Sequence, residues 1–191
     1  VAEEVIGVIG DTTLPKGEDP NILDHYFYSA ERGARQFEEN SAIGWRWFLF
    51  NNTAVKRSAI KKTGLFDEIF TSYGGEDTDM AIRLWRNFPD ALRFSSKINA
   101  EHHHKRTLNQ FCKQMEIYGQ TNLPLLLDRY PEYNKELAGD WVTTWRGRLL
   151  FNVLFSKLLR LINIILPNIK ITRYLVVYSV ICGARKANYR R

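Results

Sequence analysis

A chain of 191 residues with 45% hydrophobic and 25% charged residues can bury a sizeable core, which excludes a disordered protein and suggests one domain plus an appendage. Its two cysteines, Cys112 and Cys182, are far apart and have no metal-type spacing; a disulfide framework is not expected and a reducing compartment is the default. The net charge of +6 is unevenly placed, because the chain from Trp141 onward holds 10 Lys or Arg and no Asp or Glu, against 17 basic and 21 acidic residues before it. A pI near 9.3 would suit nucleic acid, but the basic residues alternate with long aliphatics rather than lining an aromatic and basic groove, so nucleic acid is not an expected partner.

The chain opens at Val1 without a methionine or a signal-peptide pattern, which reads as a piece of something longer. Val5 to Gly10 is an apolar run that predicts a buried strand, followed by a loop holding Pro15, Gly17 and Pro20. From Asn21 to Glu39 the apolar residues Ile22, Tyr26 and Ala30 have helical spacing, interrupted at Gly33. Alternation from Gly44 to Phe50 predicts a core strand with Trp45, Trp47 and Leu49 on one face and Phe48 and Phe50 on the other. Core packing explains its tryptophans most simply; a sugar-stacking platform is the other reading. Asn51 and Asn52 end this strand, where open α/β sheets place ligands, or else cap a helix over Ala54 to Lys62.

The stretch from Thr63 to Trp85 is the most informative. Gly74 and Gly75 let the backbone bend, Glu76 and Asp77 follow, and Met80, Leu84 and Phe88 then recur at helical spacing. Acidic residues in a first turn satisfy unpaired N–H groups and the helix dipole, for roughly 0.3–1 kcal/mol each, and Asp79 can pair with Arg83 one turn on. On residue types alone this structural role ranks ahead of catalysis. Leu92 to Ile98 reads as a strand delivering His102, His103 and His104, and extended geometry would point His102 and His104 the same way. Cysteine is absent nearby, so a closed structural zinc site is not indicated.

Thr107 to Gly119 predicts a helix closed by its glycine, and Pro124, Pro131 and the charged stretch from Glu132 to Glu136 mark a boundary. Beyond it, Arg146 to Leu166 predicts one long apolar helix with Asn152, Ser156, Arg160 and Asn163 as a narrow polar stripe. Such a helix could reach across a bilayer, but Lys157 and Arg160 would each cost ~2.5–3.5 kcal/mol at its centre, so lying in the interface suits it better. Pro167 ends it, and Tyr174 to Ala184 is too short to cross. Basic residues beside apolar helices favour an anionic inner-leaflet surface; packing on an absent part of the protein is the alternative.

Four ordered motifs, Asn51-Asn52-Thr53-Ala54-Val55-Lys56-Arg57, Gly64-Leu65-Phe66-Asp67-Glu68, Gly75-Glu76-Asp77-Thr78-Asp79 with Arg83-Leu84 behind it, and Glu101 to Leu108, together resemble the second half of a family 2 (GT-A type) glycosyltransferase. The likeness covers about residues 5 to 125. It implies an α/β fold, a partial GT-A domain over residues 1 to 140, with a basic, helical, membrane-associating tail over 141 to 191. In the resembled family the donor-nucleotide half and its Asp-x-Asp motif come before this point, so this chain is expected to carry the acceptor side.

The resemblance makes Asp77 the general base and Glu76 its neighbour on the acceptor. Asn52 is the matched binding position, and Trp47, Gly74, Gly75 and Arg83 complete the candidate substrate-binding set. His102 and His104 fit the family's histidine pattern as ligands of Mn²⁺ or Mg²⁺. Implied partners are a nucleotide-sugar donor, a glycan or lipid-linked acceptor and an anionic membrane surface; the implied activity is inverting sugar transfer in cell-surface polysaccharide synthesis, at the cytoplasmic inner face of the cell membrane. Two adjacent carboxylates cannot flank a glycosidic bond about 5 Å or more apart, as a glycoside hydrolase requires. The alternative is a noncatalytic acceptor-binding or scaffold module.

Overall fold

The computed structural model describes residues 4–103 and 105–189. In chain order the described elements are strand β1 (Gly7–Thr13), helix α1 (Ile22–Phe27), strand β2 (Thr53–Val55), helices α2 (Arg57–Thr63) and α3 (Glu76–Asn87), strand β3 (Leu92–Glu101), and helices α4 (Leu108–Arg129), α5 (Gly139–Thr143), α6 (Trp145–Leu150), α7 (Val153–Ile165) and α8 (Ile169–Lys186). The fold is therefore mixed α/β, with a small three-stranded sheet and many helices.

The chain forms two compact, interleaved units. One takes the residues up to Asp19, Phe27–Ile69 and the stretch from Glu76 through β3; the other takes Pro20–Tyr26, Phe70–Gly75 and everything from Lys105 onward.

In the first unit the strand order is β2-β1-β3, with β1 antiparallel to β2 and parallel to β3. The β1–β3 register slips between Gly10 and Asp11, whose partners are Ser95 and Asn99. Gly10 is required there, since a Cβ would lie 2.3 Å from the Ile98 carbonyl oxygen and 2.5 Å from the Asn52 side-chain nitrogen. The core is built from Ile6, Ile9, Phe48, Met80, Ile82, Leu84, Leu92 and Phe94.

The strand expected from Gly44 to Phe50 is instead a 3-10 turn over Trp45–Trp47. Ala42 bridges β3 at Arg93, and the backbone of Ile43 donates to Leu92, so the chain has already used the sheet edge and turns away from it. Trp45 and Phe48, three residues apart, are both buried, which is the spacing of a helical turn as well as an accident within a period-2 pattern. The helix expected over 21–39 is likewise cut down to α1 and a 3-10 turn at Gly33–Gln36. Thr53–Val55 form β2, so the helix that the capping reading of Asn51 and Asn52 placed over Ala54 to Lys62 starts only at Arg57.

In the second unit α4 starts on a capping box: Gln110 donates its backbone N–H to the Thr107 hydroxyl and Thr107 donates its own to the Gln110 side chain. The helix does not stop at Gly119 but runs on through Pro124 to Arg129. Gly119 has a different purpose, because a Cβ there would sit 2.0 Å from the Val180 carbonyl oxygen of α8. Gly183 of α8 mirrors it, 2.0 Å from the Glu116 carbonyl oxygen of α4. The two helices are in backbone contact, and Leu123, Leu126, Leu127, Leu175, Val176 and Ile181 are buried along them.

Gly119→Ala is accordingly expected to cost at least the ~1–3 kcal/mol of overpacking, because the obstruction is backbone and cannot rotate aside. Chemical denaturation of the single and the Gly119→Ala/Gly183→Ala pair checks it; a midpoint equal to that of the unaltered chain would show that α4 and α8 do not meet here.

The single helix expected from Arg146 to Leu166 is two, α6 and α7, parted at Phe151 and Asn152, where the Asn152 side chain caps α7 by accepting the Phe155 N–H. The polar stripe also faces the other way from the expectation. Ser156 and Asn163 are buried, Asn163 donating to the Thr172 hydroxyl of α8, and Arg160 donates to the Asn109 side chain. The apolar residues of α7 are the ones that face outward, with Leu154 80% and Ile164 73% exposed. No helix among the described residues is long and apolar enough to cross a membrane.

Candidate active site

The chain reaches the acidic pair through Gly74 and Gly75, both with positive φ, 76° and 101°. Gly75 is also tightly enclosed, a Cβ there lying 3.0 Å from that of Asn122 and 3.3 Å from the Phe70 ring. Asn122 of α4 holds this loop by donating its side-chain amide to the carbonyls of Ser72 and Gly74. The glycine pair is thus demanded by backbone conformation and by room, not by helix capping.

Glu76 and Asp77 then open α3, with Asp79 in the same first turn. Glu76 Oε2 is buried with no hydrogen-bond partner among the described residues. Asp77 Oδ2 accepts the Phe50 backbone N–H at 3.3 Å, a contact set by the turn that replaced the expected strand. Burial pushes the Asp77 carboxyl above its ordinary 3.8, the neighbouring Glu76 charge pushes it further, and the Phe50 N–H works in the opposite direction. A half-buried carboxylate with a raised pKa, held by one N–H, is suited to accept a proton from an alcohol.

Asp79 and Arg83 behave differently. Asp79 is wholly buried and pairs with the Arg83 Nε at 2.8 Å across one turn. The same guanidinium donates to the carbonyls of Thr63 and Leu65, fastening α3 to the turn after α2. Arg83 therefore ties α3 to the start of the second motif. Asn52 spends its side-chain N–H groups on the carbonyls of Asp11 (2.7 Å) and Ile98 (3.3 Å), stitching the register slip closed. Trp47 is half-buried, edge-on to Phe37 at 6.0 Å, with the Arg46 guanidinium 5.2 Å over its ring.

β3 does run to the histidines. The His102 backbone N–H donates to Thr13, its carbonyl accepts from the Tyr28 hydroxyl, and its side chain is exposed. His103, also exposed, lies 3.8 Å from Glu101. His104 lies outside the described residues. No group of three or more His, Cys, Asp or Glu among the described residues is arranged to hold a metal ion.

Two contributors were not legible in the sequence. The Phe50 N–H is backbone and carries no residue signature. Arg35, which pairs with Asp11 at 2.9 Å and donates to the Thr12 carbonyl at the end of β1, is 24 residues from its partner.

The Gly-Gly loop and the carboxylates that open α3 lie in the stretch that resembles a sugar-transferring enzyme, and the comparison with known families gives the class. The chain belongs to the family described as glycosyl transferase family group 2, whose model matches residues 35–185. It is also 52% identical over 40 residues to a protein of Bacillus subtilis (strain 168) named "Uncharacterized glycosyltransferase YfnE", an alignment covering 21% of this chain and 10% of that protein. The chain thus spans about a tenth of the length of the curated relative it matches. No solved structure matches it.

Proposed function

We propose that the chain forms the acceptor-side part of an inverting GT-A glycosyltransferase, moving a sugar from a nucleotide-diphosphate donor to a hydroxyl of a glycan or lipid-linked acceptor in cell-surface polysaccharide synthesis. The observation that carries this reading is the state of Asp77: a carboxylate whose pKa is raised by burial and by Glu76, inside the stretch that the family model matches. A sugar hydroxyl is a poor nucleophile until its proton is taken in the transition state. Asp77 accepts that proton as the oxygen attacks the anomeric carbon, the bond to the nucleotide diphosphate breaks on the opposite face, and the anomeric centre inverts.

Glu76, with one buried oxygen left unsatisfied by protein, anchors the acceptor hydroxyl or orients Asp77. Gly74 and Gly75 set the angle at which the pair enters α3, Arg83 keeps the neighbouring loop ordered, and Asn52 and Trp47 border the acceptor. His102 and His104 would be the protein-side ligands of a Mn²⁺ or Mg²⁺ ion, which would offset the charge that grows on the departing diphosphate. The enzyme works peripherally at the inner face of the membrane, through its basic helical tail.

The test is a panel of labelled nucleotide-diphosphate sugars offered to the full-length protein with membrane glycan extract, with and without added Mn²⁺ or Mg²⁺. Label appearing in glycan with inverted anomeric configuration supports the reading. Acceptor binding without any donor turnover would instead support the noncatalytic acceptor-binding module.

A further inference from the structure

The outward apolar face of α6 and α7 adjoins a cationic cavity, and the two belong together. Trp141, Trp145, Leu149, Leu154, Phe155 and Leu158 line a groove of about 870 Å³. Next to it, Arg148, Tyr178, Cys182, Arg185 and Lys186 line a second cavity of about 350 Å³, and Asn152 lines both. We infer that this pair of cavities is a docking site for the anionic phospholipids of a membrane surface, with the headgroup phosphate in the cationic cavity and an acyl chain along the apolar groove. This rests on the membrane reading above and gives it a location and a lipid chemistry.

Three observations support that occupant. Ser156 and Asn163 of α7 are turned inward, so the helix presents hydrocarbon to its surroundings along Leu154, Leu158, Leu161 and Ile165, one continuous face at helical spacing. Patches of this kind mark interaction sites in otherwise soluble folds. The charge that the chain contributes after Asp140 is of a single sign: no acidic residue follows, whereas Arg146, Arg148, Lys157, Lys170 and Arg173 are interspersed with the apolar residues. An aliphatic face with cations among its residues is complementary to a hydrocarbon layer capped by phosphate, and poorly complementary to the polar rim of an ordinary protein interface.

The cationic cavity is a built feature rather than a loose cluster. Arg185 is fixed by donating to the carbonyls of Trp141, Val142 and Phe151, while Lys186 pairs with Glu116. Arg148, exposed at the mouth, is the guanidinium placed to meet a phosphate.

The experiment is co-sedimentation of the full chain with phosphatidylglycerol vesicles and with phosphatidylcholine vesicles, for the unaltered protein, Leu154→Asp/Leu158→Asp and Arg148→Glu. The unaltered protein should sediment with phosphatidylglycerol, far less with phosphatidylcholine, and inorganic phosphate should not release it. The leucine pair should lower binding on the order of tenfold or more, because the apolar area can no longer leave water, with an unchanged melting temperature. Arg148→Glu should lower binding to phosphatidylglycerol and leave the weak binding to phosphatidylcholine as it was.

Equal binding to both vesicles, full binding by the leucine pair, or release by inorganic phosphate would overturn the inference. So would a dimer in solution that the leucine pair dissolves, since a second copy would then cover the face. Sugar transfer to a soluble acceptor should be the same in the leucine pair as in the unaltered protein, so loss of vesicle binding and loss of transfer report on different claims.

Discussion

Asp77→Asn is expected to lower sugar transfer by ~10²–10⁴-fold, the usual contribution of a positioned general base, while the protein remains folded. The amide keeps the size and the acceptor oxygen that the Phe50 N–H meets, but it cannot take a proton. The stability effect has the opposite sign. Because the folded-state pKa of Asp77 lies above 3.8, the folded protein binds this proton more tightly than the unfolded chain. Keeping the group ionised therefore costs stability at every pH above the folded value, and the cost disappears as the pH falls through that value toward 3.8. Asparagine carries no such cost, so near neutral pH the variant should melt at or above the temperature of the unaltered protein. Loss of activity with a matching loss of stability would instead make Asp77 a structural residue.

Arg83→Ala is expected to cost about 3–5 kcal/mol, since it strips a wholly buried carboxylate of its guanidinium. It also removes the donors to Thr63 and Leu65. Arg83→Lys keeps the charge but not the fork that reaches an acid and two carbonyls at once, and should recover only part of the loss. Urea midpoints for the two variants and for Asp79→Asn/Arg83→Ala check this. The double variant, with no buried charge left, should be more stable than Arg83→Ala alone; equal destabilisation of less than about 1 kcal/mol in all three would mean that the pair contributes no more than an exposed ion pair does.

The parts of the fold that were legible in the sequence are those where one local pattern had one solution. β3 and the start of α3 follow from a short apolar run and from acidic residues before a helical repeat, and the Asp79–Arg83 pair follows from its spacing. The segment 44–50 was misread because its apolar residues satisfy a period of two and a spacing of three together, and only the prior occupation of the β3 edge by Ala42 decides between them. Gly119 reads as a helix end in the sequence, since a glycine that ends a helix and one that lets another helix approach look the same until the partner is known.

The tail shows a similar limit. Its polar stripe was recognised, but an amphipathic pattern says only that two faces differ, and the buried Asn163 and Thr172 show that the polar one faces protein. At the candidate site the carboxylates were visible as residues, whereas the N–H that holds Asp77 belongs to a turn the sequence pattern did not give. The family match reaching residue 185 likewise extends well past the segment whose motifs carried the resemblance.

The pH dependence of kcat/KM for sugar transfer, compared between the unaltered protein and Glu76→Gln, tests most directly whether Asp77 is the base. The acid limb of the unaltered protein should lie above 3.8, because burial and the Glu76 charge both raise Asp77, and activity should rise as Asp77 loses its proton. In Glu76→Gln the limb should move to lower pH yet stay above 3.8, since burial, the larger of the two causes, is still present. A limb that does not move when the Glu76 charge is removed, or one that persists in Asp77→Asn, would assign the proton transfer to another group.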